Sequence, residues 1–535
     1  MSQSPRVLVC DDLHPLALEE LRSRGLVPEV RTGMDEATLV EAARDAEALV
    51  VRSATKVTRP VLEAARALRV VGRAGIGVDN VDCAAATERG VVVMNTPTGN
   101  ATTTAEHALA LMVALARHVP RADRQVRGGS WKKKGLMGTE LTGKTLGVIG
   151  LGRIGRLVAE RAQGLKMRVI AYDPYLLQAG GGSPAPGVEL LPLNDLLPRA
   201  DFLTLHVPLS DATRGLISWE ELALVKPGAR LINASRGGVV DEEAALDALA
   251  EGRLAGAAFD VLEQEPPAPD HPFLTRDDVI LTPHLGASSS EAQERVAVDI
   301  ARQIAGFLLD GVAENAVNAP ALDAEAIAGL APFLRLAEKT GSLLAQRLKE
   351  PIRKLELTVG GDIQDRDVEH LQLALLVGCL RQALDEGINF VNAPIAARER
   401  GVRVLVSREE EPTYTQGQLK VRASTKAGGE SHVVKGAVFG RQPRIVRIDG
   451  VHLDLPTSGN LLLTSHEDQP GVVGLIGTVL GEHGVNIRRI ELGPPLENGG
   501  GVAAGFFVLY EMPSPEVIDE IAALAPVREV DLVQL

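Results

Sequence analysis

Short apolar runs alternate with helical stretches over residues 6–94 of the chain. Each apolar run indicates a buried strand, and each stretch between two runs indicates a helix that crosses back to start the next strand. This alternation is the sequence signature of a parallel α/β sheet. The predicted strands are at residues 7–10, 27–30, 48–51, 70–71 and 91–94.

The stretch from residue 144 to residue 173 predicts a strand, a glycine turn, a helix and a second strand, in that order. Its turn has the motif GxGxxG, formed by Gly150, Gly152 and Gly155. The first glycine permits the tight turn, the second lets the backbone approach a pyrophosphate, and the third lets the helix lie close to the sheet. The helix N-terminus then offers free N–H groups to the phosphates. The stretch therefore predicts a dinucleotide-binding unit, with the helix at residues 153–163.

Asp173 ends the second strand of this unit, 18 residues after Gly155. A carboxylate near this spacing accepts hydrogen bonds from the ribose hydroxyls of a bound dinucleotide. The 2′-phosphate of NADP would face this negative charge, and neither Arg nor Lys directly follows Asp173. The sequence therefore predicts NAD rather than NADP as the cofactor.

Four further apolar runs follow the central unit, and polar side chains stand at or just after the end of each. With the two strands already described, they predict a six-stranded doubly wound sheet, whose ligands bind at the carboxyl ends of its strands. The later strand ends carry an Arg, a Glu and a His, which are the groups needed to move a hydride and a proton. The four runs are at residues 202–206, 230–233, 257–260 and 279–281.

Composition indicates a multidomain soluble protein of ordinary make-up. The chain has 535 residues, well above the roughly 250–300 at which a single core stops growing. Its three cysteines are scattered, which argues against a disulfide framework and a CxxC metal site and predicts a reducing, cytoplasmic location. We expect neither a signal peptide nor a membrane span, since no uninterrupted apolar segment approaches ~18 residues.

The formal net charge of −14 argues against general nucleic-acid binding, because no overall positive field would hold phosphates. An anionic substrate therefore needs a local basic patch. Arg52 and Arg73 each directly follow a predicted strand, where a guanidinium group can meet an anion. For either arginine alone, a solvated surface residue is the favoured interpretation. Together with the glycine-rich loop after residue 73, they favour a ligand.

The loop at residues 129–134 is basic and contains one of the two tryptophans. Two interpretations stay open for it. One is a solvated surface loop, which is the usual meaning of a charge run. The other is a loop that crosses to a partner subunit and adds positive field to that subunit's active site.

The motifs at the later strand ends resemble those of the D-isomer-specific 2-hydroxyacid dehydrogenases, in that family's order. They are residues 233–238, Glu265-Pro266 and Pro283-His284. Within the family, residues 51–58, 71–82 and 284–289 are most similar to the 3-phosphoglycerate dehydrogenase branch. The resemblance covers residues 5–318 and implies a Rossmann-type NAD-binding domain, at 99–289, inserted in a flavodoxin-like substrate domain formed by 1–98 and 290–318.

The chemistry of the reaction assigns roles to three residues. Oxidising a secondary alcohol requires a base for the hydroxyl proton as hydride leaves, and His284 is the natural candidate. Glu265 is expected to pair with the imidazole and stabilise it once protonated. Arg236 is expected to clamp the substrate carboxylate and polarise the developing carbonyl, because its planar fork suits bidentate contact.

The resemblance implies the remaining site residues. The cofactor is expected to contact the backbone of Arg153 and Ile154 at its pyrophosphate and Asp260 at its nicotinamide amide; His206 is equally well explained as a core residue. The full cofactor set is Gly150, Gly152, Arg153, Ile154, Gly155, Asp173, His206, Ala234, Ser235, Arg236, Asp260, His284, Gly286 and Ala287. The substrate phosphate and carboxylate are expected at Arg52, Ser53, Arg73, Gly75 and Asn100.

Two further regions follow the catalytic core. Residues 319–456 predict an α/β domain, with helices at 332–349 and 370–386 and strands at 355–359, 418–423 and 445–448. It resembles the intervening regulatory domain of long-form 3-phosphoglycerate dehydrogenases; the residues alone indicate only a folded spacer.

Residues 459–535 predict the ferredoxin-like order strand, helix, strand, strand, helix, strand. This region resembles an ACT domain, a module that binds amino acids between paired copies. An effector carboxylate is expected at the helix N-terminus near Gly471, and its amino group at Asp468 and Asn486. L-serine is the expected effector. A dimerisation module without a ligand is the alternative.

Taken together, the resemblance implies NAD-dependent oxidation of D-3-phosphoglycerate to 3-phosphohydroxypyruvate, the first step of L-serine biosynthesis, by a homo-oligomer, either a dimer or a homotetramer. The paired arginines favour a phosphorylated substrate over glycerate or another 2-hydroxy acid. The alternative from another class is a nucleotide-sensing scaffold, like the corepressors that share this core. No resident metal is expected.

Overall fold

The computed structural model describes residues 4–179, 185–320, 324–365, 368–382, 387–409, 413–414, 417–426, 429–493 and 501–535. Within these ranges the chain forms four sheets. In the same ranges, no helix is both long and apolar enough to cross a bilayer. The described residues also hold no group of three or more His, Cys, Asp and Glu side chains arranged to bind a metal ion.

The N-terminal part of the chain alternates strands and helices, as its apolar runs predict. Its elements are β1 (Arg6–Val9), α1 (Pro15–Ser23), β2 (Val27–Val30), α2 (Glu36–Ala43), β3 (Ala48–Val51), α3 (Arg59–Ala64), β4 (Val70–Arg73), α4 (Cys83–Glu88) and β5 (Val92–Met94). The strands are all parallel, in the flavodoxin-like order β2-β1-β3-β4-β5. All five strand predictions are confirmed, with small shifts at their ends.

A second parallel sheet follows. Its elements are α5 (Ala101–Ala116), α6 (Val119–Arg127), β6 (Thr145–Ile149), α7 (Arg153–Gly164), β7 (Arg168–Tyr172), α8 (Pro174–Gln178), β8 (Val188–Leu190), α9 (Leu193–Leu196), β9 (Phe202–Leu205), α10 (Trp219–Leu224), β10 (Ala229–Asn233), α11 (Glu242–Ala250), β11 (Leu254–Phe259) and β12 (Val279–Leu281). Its strand order is β12-β11-β10-β9-β6-β7-β8. The prediction of six strands is therefore wrong, because β8 adds a seventh at the edge. That strand is only three residues long and has an exposed Glu at its centre, so its apolar signal is too weak to stand out.

Helix α12 (Ser290–Asp310) returns the chain to the first sheet and packs against α1 and β4. Its Ile300 and Ile304 lie directly over Gly72 of β4, where any side chain would collide with both. Beyond the helix, Asn318 accepts a hydrogen bond from a β5 amide at 2.8 Å. The returning segment thus belongs to the first unit, as the resemblance implied, and the unit built on the second sheet is inserted between its two parts.

The third sheet is mixed. Its region contains α13 (Ala324–Arg347), β13 (Lys354–Gly360), α14 (Val368–Arg381), α15 (Ala393–Glu399), β14 (Arg403–Glu409), β15 (Gln418–Ser424), β16 (Ser431–Phe439), β17 (Gln442–Ile448) and β18 (Val451–Pro456). The order is β14-β13-β15-β16-β17-β18, with β13 and β14 parallel and the other pairs antiparallel. The predicted helices and strands are present with shifted ends, and residues 383–386 of the second helix prediction lie outside the described residues. Strands β14, β16 and β18 were not predicted.

The C-terminal region has the predicted ferredoxin-like order. Its elements are β19 (Asn460–Glu467), α16 (Val472–Glu482), β20 (Ile487–Gly493), β21 (Val502–Leu509), α17 (Pro515–Ala522) and β22 (Val527–Gln534). The sheet is antiparallel, in the order β20-β21-β19-β22. Because neighbouring side chains of a strand point to opposite faces, Leu462 packs under α16 and α17 whereas Leu461 and Leu463 join the core around α13. The third and fourth sheets therefore share one hydrophobic core.

Candidate active site

A cavity of about 420 Å³ lies between the first two sheet units. Its walls come from the loops at the carboxyl ends of β4, β5, β9, β10, β11 and β12, which is where open parallel sheets bind ligands. The structure brings eleven of the predicted site residues to this lining: Arg73, Asn100, Ile154, His206, Ala234, Ser235, Arg236, Asp260, His284, Gly286 and Ala287.

His284 and Glu265 form a hydrogen-bonded pair at the edge of this cavity. The distance from His284 Nδ1 to Glu265 Oε2 is 2.8 Å. Burial alone would raise the pKa of Glu265, but the hydrogen bond and charge of His284 outweigh it and lower that pKa below its usual value. Glu265 is therefore ionised at neutral pH and accepts the Nδ1 proton. In the neutral ring this leaves a lone pair on Nε2, which can receive a proton.

Asp260 organises the loop that carries His284. Its backbone carbonyl accepts from the His284 amide at 2.9 Å, and its carboxylate accepts from the next two amides, Leu285 and Gly286, each at 2.8 Å. His284 itself has φ of +54°, in the left-handed region that L-residues rarely adopt. Three successive amides bonded to one buried residue stabilise this conformation.

Most of the hydrogen-bonding capacity of the Asp260 carboxylate is used by donors within the protein. Oδ1 accepts from Leu285, from His107 Nε2 at 3.0 Å and from the Thr282 hydroxyl at 2.5 Å. Oδ2 accepts from Gly286 and retains acceptor capacity. Any contact with the nicotinamide amide would therefore fall to Oδ2.

Arg236 enters the cavity from the loop after β10 and meets an acid from the other unit. Its Nε donates to Asp79 Oδ2 at 2.9 Å, and its Nη1 donates to the carbonyl of Ser235 at 2.7 Å. The ion pair with Asp79 joins the two units across the cleft. A substrate carboxylate would therefore meet a guanidinium that is already oriented.

Arg73 adds a second guanidinium to the cavity. Burial, followed by the neighbouring charge of Arg236, lowers the pKa of Arg73 to about 10. The side chain thus stays protonated at neutral pH, although its positive charge is poorly solvated. An anion in this cavity would offset both the cost of burying the Arg73 charge and the repulsion between the two arginines.

Several buried polar atoms that line the cavity have no partner among the described residues. They are the Nε of Arg73, the Oδ1 of Asn100 and the Nδ1 of His206. Burial lowers the pKa of His206 to about 4, so its ring is neutral, and its Nε2 is bonded to Thr204. Buried polar groups are normally hydrogen-bonded. These atoms are therefore suited to a polar ligand.

The glycine motif has the local geometry that its sequence predicts. Gly150 has φ of +92°, and Gly155 packs so closely that a Cβ there would lie 2.0 Å from the Gly150 carbonyl oxygen. A Cβ at Gly152 would meet open space, with no described atom within 4 Å. Asp173 stands beside the turn, with Oδ2 accepting from the Leu151 amide at 3.1 Å. The turn, the free approach at the second glycine and the close helix packing thus fit a dinucleotide.

Eight of the predicted ligand contacts lie outside the cavity lining. Four of them, Gly150, Gly152, Gly155 and Asp173, form the glycine turn and its acid; the other four are Arg52, Ser53, Gly75 and Arg153. Arg52 donates from Nη1 to the Asp12 carbonyl at 3.0 Å, and Ser53 is exposed. Gly75 lies against the side chain of Arg73, and Arg153 lines a separate surface depression. The side chain of Arg52 turns toward the β1–α1 loop, although its charge still acts on Arg73. Contact of Arg52, Ser53 and Gly75 with the anion stays a prediction.

Sequence analysis did not single out three residues that this site uses: Asp79, Thr104 and His107. Asp79 lies in the glycine-rich loop already noted beside Arg73, so an acid next to a proposed anion site was a usable signal. Thr104 and His107 lie one turn apart on α5, and their partners are more than 150 residues away in sequence. No local pattern indicates such a contact.

The two predicted effector residues lie at opposite ends of helix α16. Asp468 precedes the helix, and Asn486 follows it. Eleven helical residues at 1.5 Å per residue separate them by roughly 16 Å. A single copy therefore does not bring both residues to one amino group, and their joint role in a site between paired copies stays a prediction. Only a second copy could bring one residue near the other.

Three regions of the chain match family models. Residues 109–286 match the NAD-binding domain of the D-isomer specific 2-hydroxyacid dehydrogenases. Residues 329–449 match the D-3-phosphoglycerate dehydrogenase intervening domain, and residues 460–526 match the ACT domain. The unit built on the second sheet is therefore an NAD-binding domain.

Curated relatives align with nearly the whole chain. D-3-phosphoglycerate dehydrogenase of Archaeoglobus fulgidus is 40% identical over 530 residues, which cover 99% of this chain and 100% of the relative. The enzyme of the same name from Mycobacterium tuberculosis strain H37Rv is 41% identical over 538 residues, covering 99% of each.

Solved structures match somewhat more than half of the chain. A glyoxylate reductase from Paecilomyes thermophila has 27% identity and a TM-score of 0.53, covering 59% of this chain and 98% of that chain. D-lactate dehydrogenase from Aquifex aeolicus, complexed with NAD and lactic acid, has 26% identity and a TM-score of 0.51, covering 59% and 100%.

Proposed function

We propose a mechanism and a substrate on the premise that this chain belongs to the D-3-phosphoglycerate dehydrogenases, a branch of the D-isomer-specific 2-hydroxyacid dehydrogenases. The reaction is the NAD-dependent oxidation of D-3-phosphoglycerate to 3-phosphohydroxypyruvate, the first step of L-serine biosynthesis. The observation that carries this proposal is the His284–Glu265 pair, at the edge of a cavity that also holds the guanidinium groups of Arg73 and Arg236.

The residues present fit NAD. The open approach at Gly152, the carboxylate of Asp173 beside the glycine turn and the unpartnered polar atoms of the cavity each match a polar dinucleotide. We assign the pyrophosphate to the N-terminus of α7 and the ribose hydroxyls to Asp173. When bound, NAD supplies the acceptor for the hydride that leaves the substrate carbon.

His284 removes the hydroxyl proton of the substrate. Its Nδ1–H is held by the ionised Glu265, so Nε2 is the nitrogen that accepts the proton. As the ring becomes an imidazolium, the negative charge of Glu265 stabilises it. General base catalysis of this kind contributes roughly 10²–10⁴-fold to a rate.

The two cavity arginines hold the substrate anion. We assign the carboxylate to Arg236, whose guanidinium also stabilises negative charge on the oxygen that becomes a carbonyl. Arg73 and the Asn100 side chain are then available to the rest of the substrate, including its phosphate. Burial makes the charge of Arg73 costly without an anion, which favours a substrate with more than one negative group.

A direct assay separates this proposal from its rivals. NADH formation is measured with D-3-phosphoglycerate or D-glycerate as substrate, and with NAD or NADP as cofactor. We expect turnover with phosphoglycerate and NAD to exceed every other combination. Equal or faster turnover of glycerate would reject the phosphorylated substrate. No turnover with any 2-hydroxy acid, together with tight NAD binding, would favour the nucleotide-sensing scaffold.

We further propose that an amino acid regulates the enzyme at the ACT domain, with L-serine as the effector. A second copy would have to complete the site, because Asp468 and Asn486 lie at opposite ends of α16. Addition of millimolar L-serine should lower the rate or shift the melting temperature of the wild type. Asp468→Ala should abolish that response while leaving the rate without serine unchanged. A serine response that survives this substitution would place the effector elsewhere.

We propose a homo-oligomer, either a dimer or a tetramer. The loop after α6 exposes 84% of Trp131 and 90% of Met137, apolar surface that a partner subunit would cover. If a partner subunit covers this loop, the lysines at residues 132–134 of the loop would add positive charge near the active site of that subunit. Light scattering should give a mass of at least two chains, and Trp131→Ser with Met137→Ser should lower it.

We propose the cytoplasm as the compartment, since Cys10, Cys83 and Cys379 are free thiols.

A further inference from the structure

Helix α5 contacts the catalytic loop through two side chains one turn apart, Thr104 and His107. The hydroxyl of Thr104 donates to the Gly286 carbonyl at 2.8 Å. The Nε2 of His107 lies 3.0 Å from Asp260 Oδ1 and 3.3 Å from the Thr282 hydroxyl. Because residues three apart on a helix share a face, this face of α5 is directed at the loop from residue 282 to residue 287.

We propose that His107 is a positioning residue for the oxidation: it fixes the carboxylate of Asp260, and Asp260 in turn fixes the loop that presents His284. This inference rests on the proposed function of His284 as the base. His107 touches neither the reacting atoms nor the Glu265 pair. Its effect on catalysis passes through one carboxylate and the backbone amides bonded to it.

The geometry leaves Asp260 dependent on His107. Asp260 is 2% exposed, so its carboxylate cannot replace a lost donor with bulk water. Its ionised state is needed to accept from the amides of Leu285 and Gly286, which hold His284 in the left-handed region. Burial raises the pKa of Asp260 and so disfavours the ionised state. Among the contributions that lower this pKa, the hydrogen bond from His107 is the largest. The charge of Asp260 in turn acts to raise the pKa of Glu265.

The donor is specified by chemistry rather than by shape alone. Asp260 is an acceptor, so Nε2 of His107 carries the hydrogen, and the ring can be neutral while it donates. A glutamine at residue 107 can place an N–H at a similar reach. A leucine fills a similar volume and offers no donor. These two substitutions therefore separate the hydrogen bond from the packing.

The test compares full-length wild type with His107→Leu, His107→Gln and a control, His483→Leu. The control removes a surface His–Glu pair in the ACT region, where His483 Nε2 lies 2.8 Å from Glu520. We expect His107→Leu to lower kcat roughly 10–100-fold, since small displacements of a catalytic group have effects of that size. KM for phosphoglycerate should stay within about twofold of wild type, because the cavity arginines are untouched. His107→Gln should regain most of kcat, and the control should match wild type.

Hydrogen exchange provides a readout that does not depend on turnover. In His107→Leu the segment at residues 282–287 should exchange roughly tenfold faster or more, the factor expected from the loss of a hydrogen bond to a charged group. His107→Gln should restore slow exchange. If His107→Leu does not fold, His107→Asn, whose amide is too short to reach Asp260, takes its place.

The outcomes are separable. A wild type inactive on phosphoglycerate rejects the proposed function, while the exchange data still decide the role of His107. A His107→Leu enzyme with kcat within about twofold of wild type would overturn the inference. So would a His107→Gln enzyme as impaired as His107→Leu, or unchanged exchange at residues 282–287.

Discussion

Replacing Glu265 by Gln removes a charge from the catalytic pair and keeps its shape. The glutamine Oε1 can still accept the Nδ1–H of His284 at the 2.8 Å distance seen for the carboxylate, while its NH2 replaces the oxygen that accepts from the Leu262 amide at 3.2 Å. The ring therefore keeps its orientation and its tautomer. Two things change: the Leu262 amide loses its acceptor, and the imidazolium that forms as the proton arrives loses its electrostatic stabilisation.

The size of this effect follows from the separation and exposure of the pair. Unit charges about 4 Å apart interact by about 1 kcal/mol in water and about 4 kcal/mol at an effective dielectric constant near 20. The side chains of His284 and Glu265 are 44% and 40% exposed, so the lower part of this range applies. We take about 1.5–2 kcal/mol, which is a roughly 10–30-fold loss of rate.

The assay is steady-state NADH formation by Glu265→Gln, with Glu263→Gln as the matched control. Glu263 lies on the same loop, is 68% exposed and comes no nearer than 3.8 Å to Arg214. We expect kcat to fall roughly 10–30-fold for Glu265→Gln, with KM for NAD unchanged and the control at the wild-type rate. A Glu265→Gln enzyme with undiminished kcat would refute the electrostatic role, and an equal loss in the control would show a general effect of loop charge.

Three further predictions follow from the structure. Gly152→Ala should retain the wild-type melting temperature but raise KM for NAD. Gly155→Ala should unfold at a lower temperature, with a loss of about 1–3 kcal/mol of stability, because its Cβ meets the Gly150 carbonyl. Calorimetry and NAD titration distinguish the two variants, and equal melting temperatures would contradict the packing argument. Asp173→Ala should narrow the preference for NAD over NADP, measured as the ratio of kcat/KM, and an unchanged ratio would reject its ribose role. The hydrogen bond with Asp449 raises the pKa of His432, so their pair contributes stability that is full below the unfolded pKa of ~6.5 and is lost as pH rises through the folded value. His432→Gln should therefore lower the melting temperature most under mildly acidic conditions, and a deficit that grows with pH would contradict this sign.

Local chemistry was predictable from the sequence. The glycine motif and Asp173 lie within one βαβ unit, so their spacing alone predicted a dinucleotide site. The parallel strands of the first two sheets were found because strands buried on both faces give unbroken apolar runs. Strand β14 gives no such signal, since most of its side chains are exposed at the sheet edge.

Contacts between distant parts of the chain were not predictable in the same way. Asp79 and Arg236 are 157 residues apart and meet only because the two units face each other across the cleft. The sequence also does not predict the direction in which a side chain points. Arg52 and Arg73 both follow strand ends, yet only Arg73 lines the cavity. Motif spacing located the loops of the site, whereas the packing of the two units decided which side chains face the ligand.

The central claim is that His284 removes the hydroxyl proton during oxidation. Single-turnover NADH formation by His284→Asn, with D-3-phosphoglycerate and NAD both saturating and NAD binding measured on the same sample, tests it most directly. We predict a rate roughly 10²–10⁴-fold below wild type with NAD affinity retained. A rate near that of the wild type would contradict the assignment of the base.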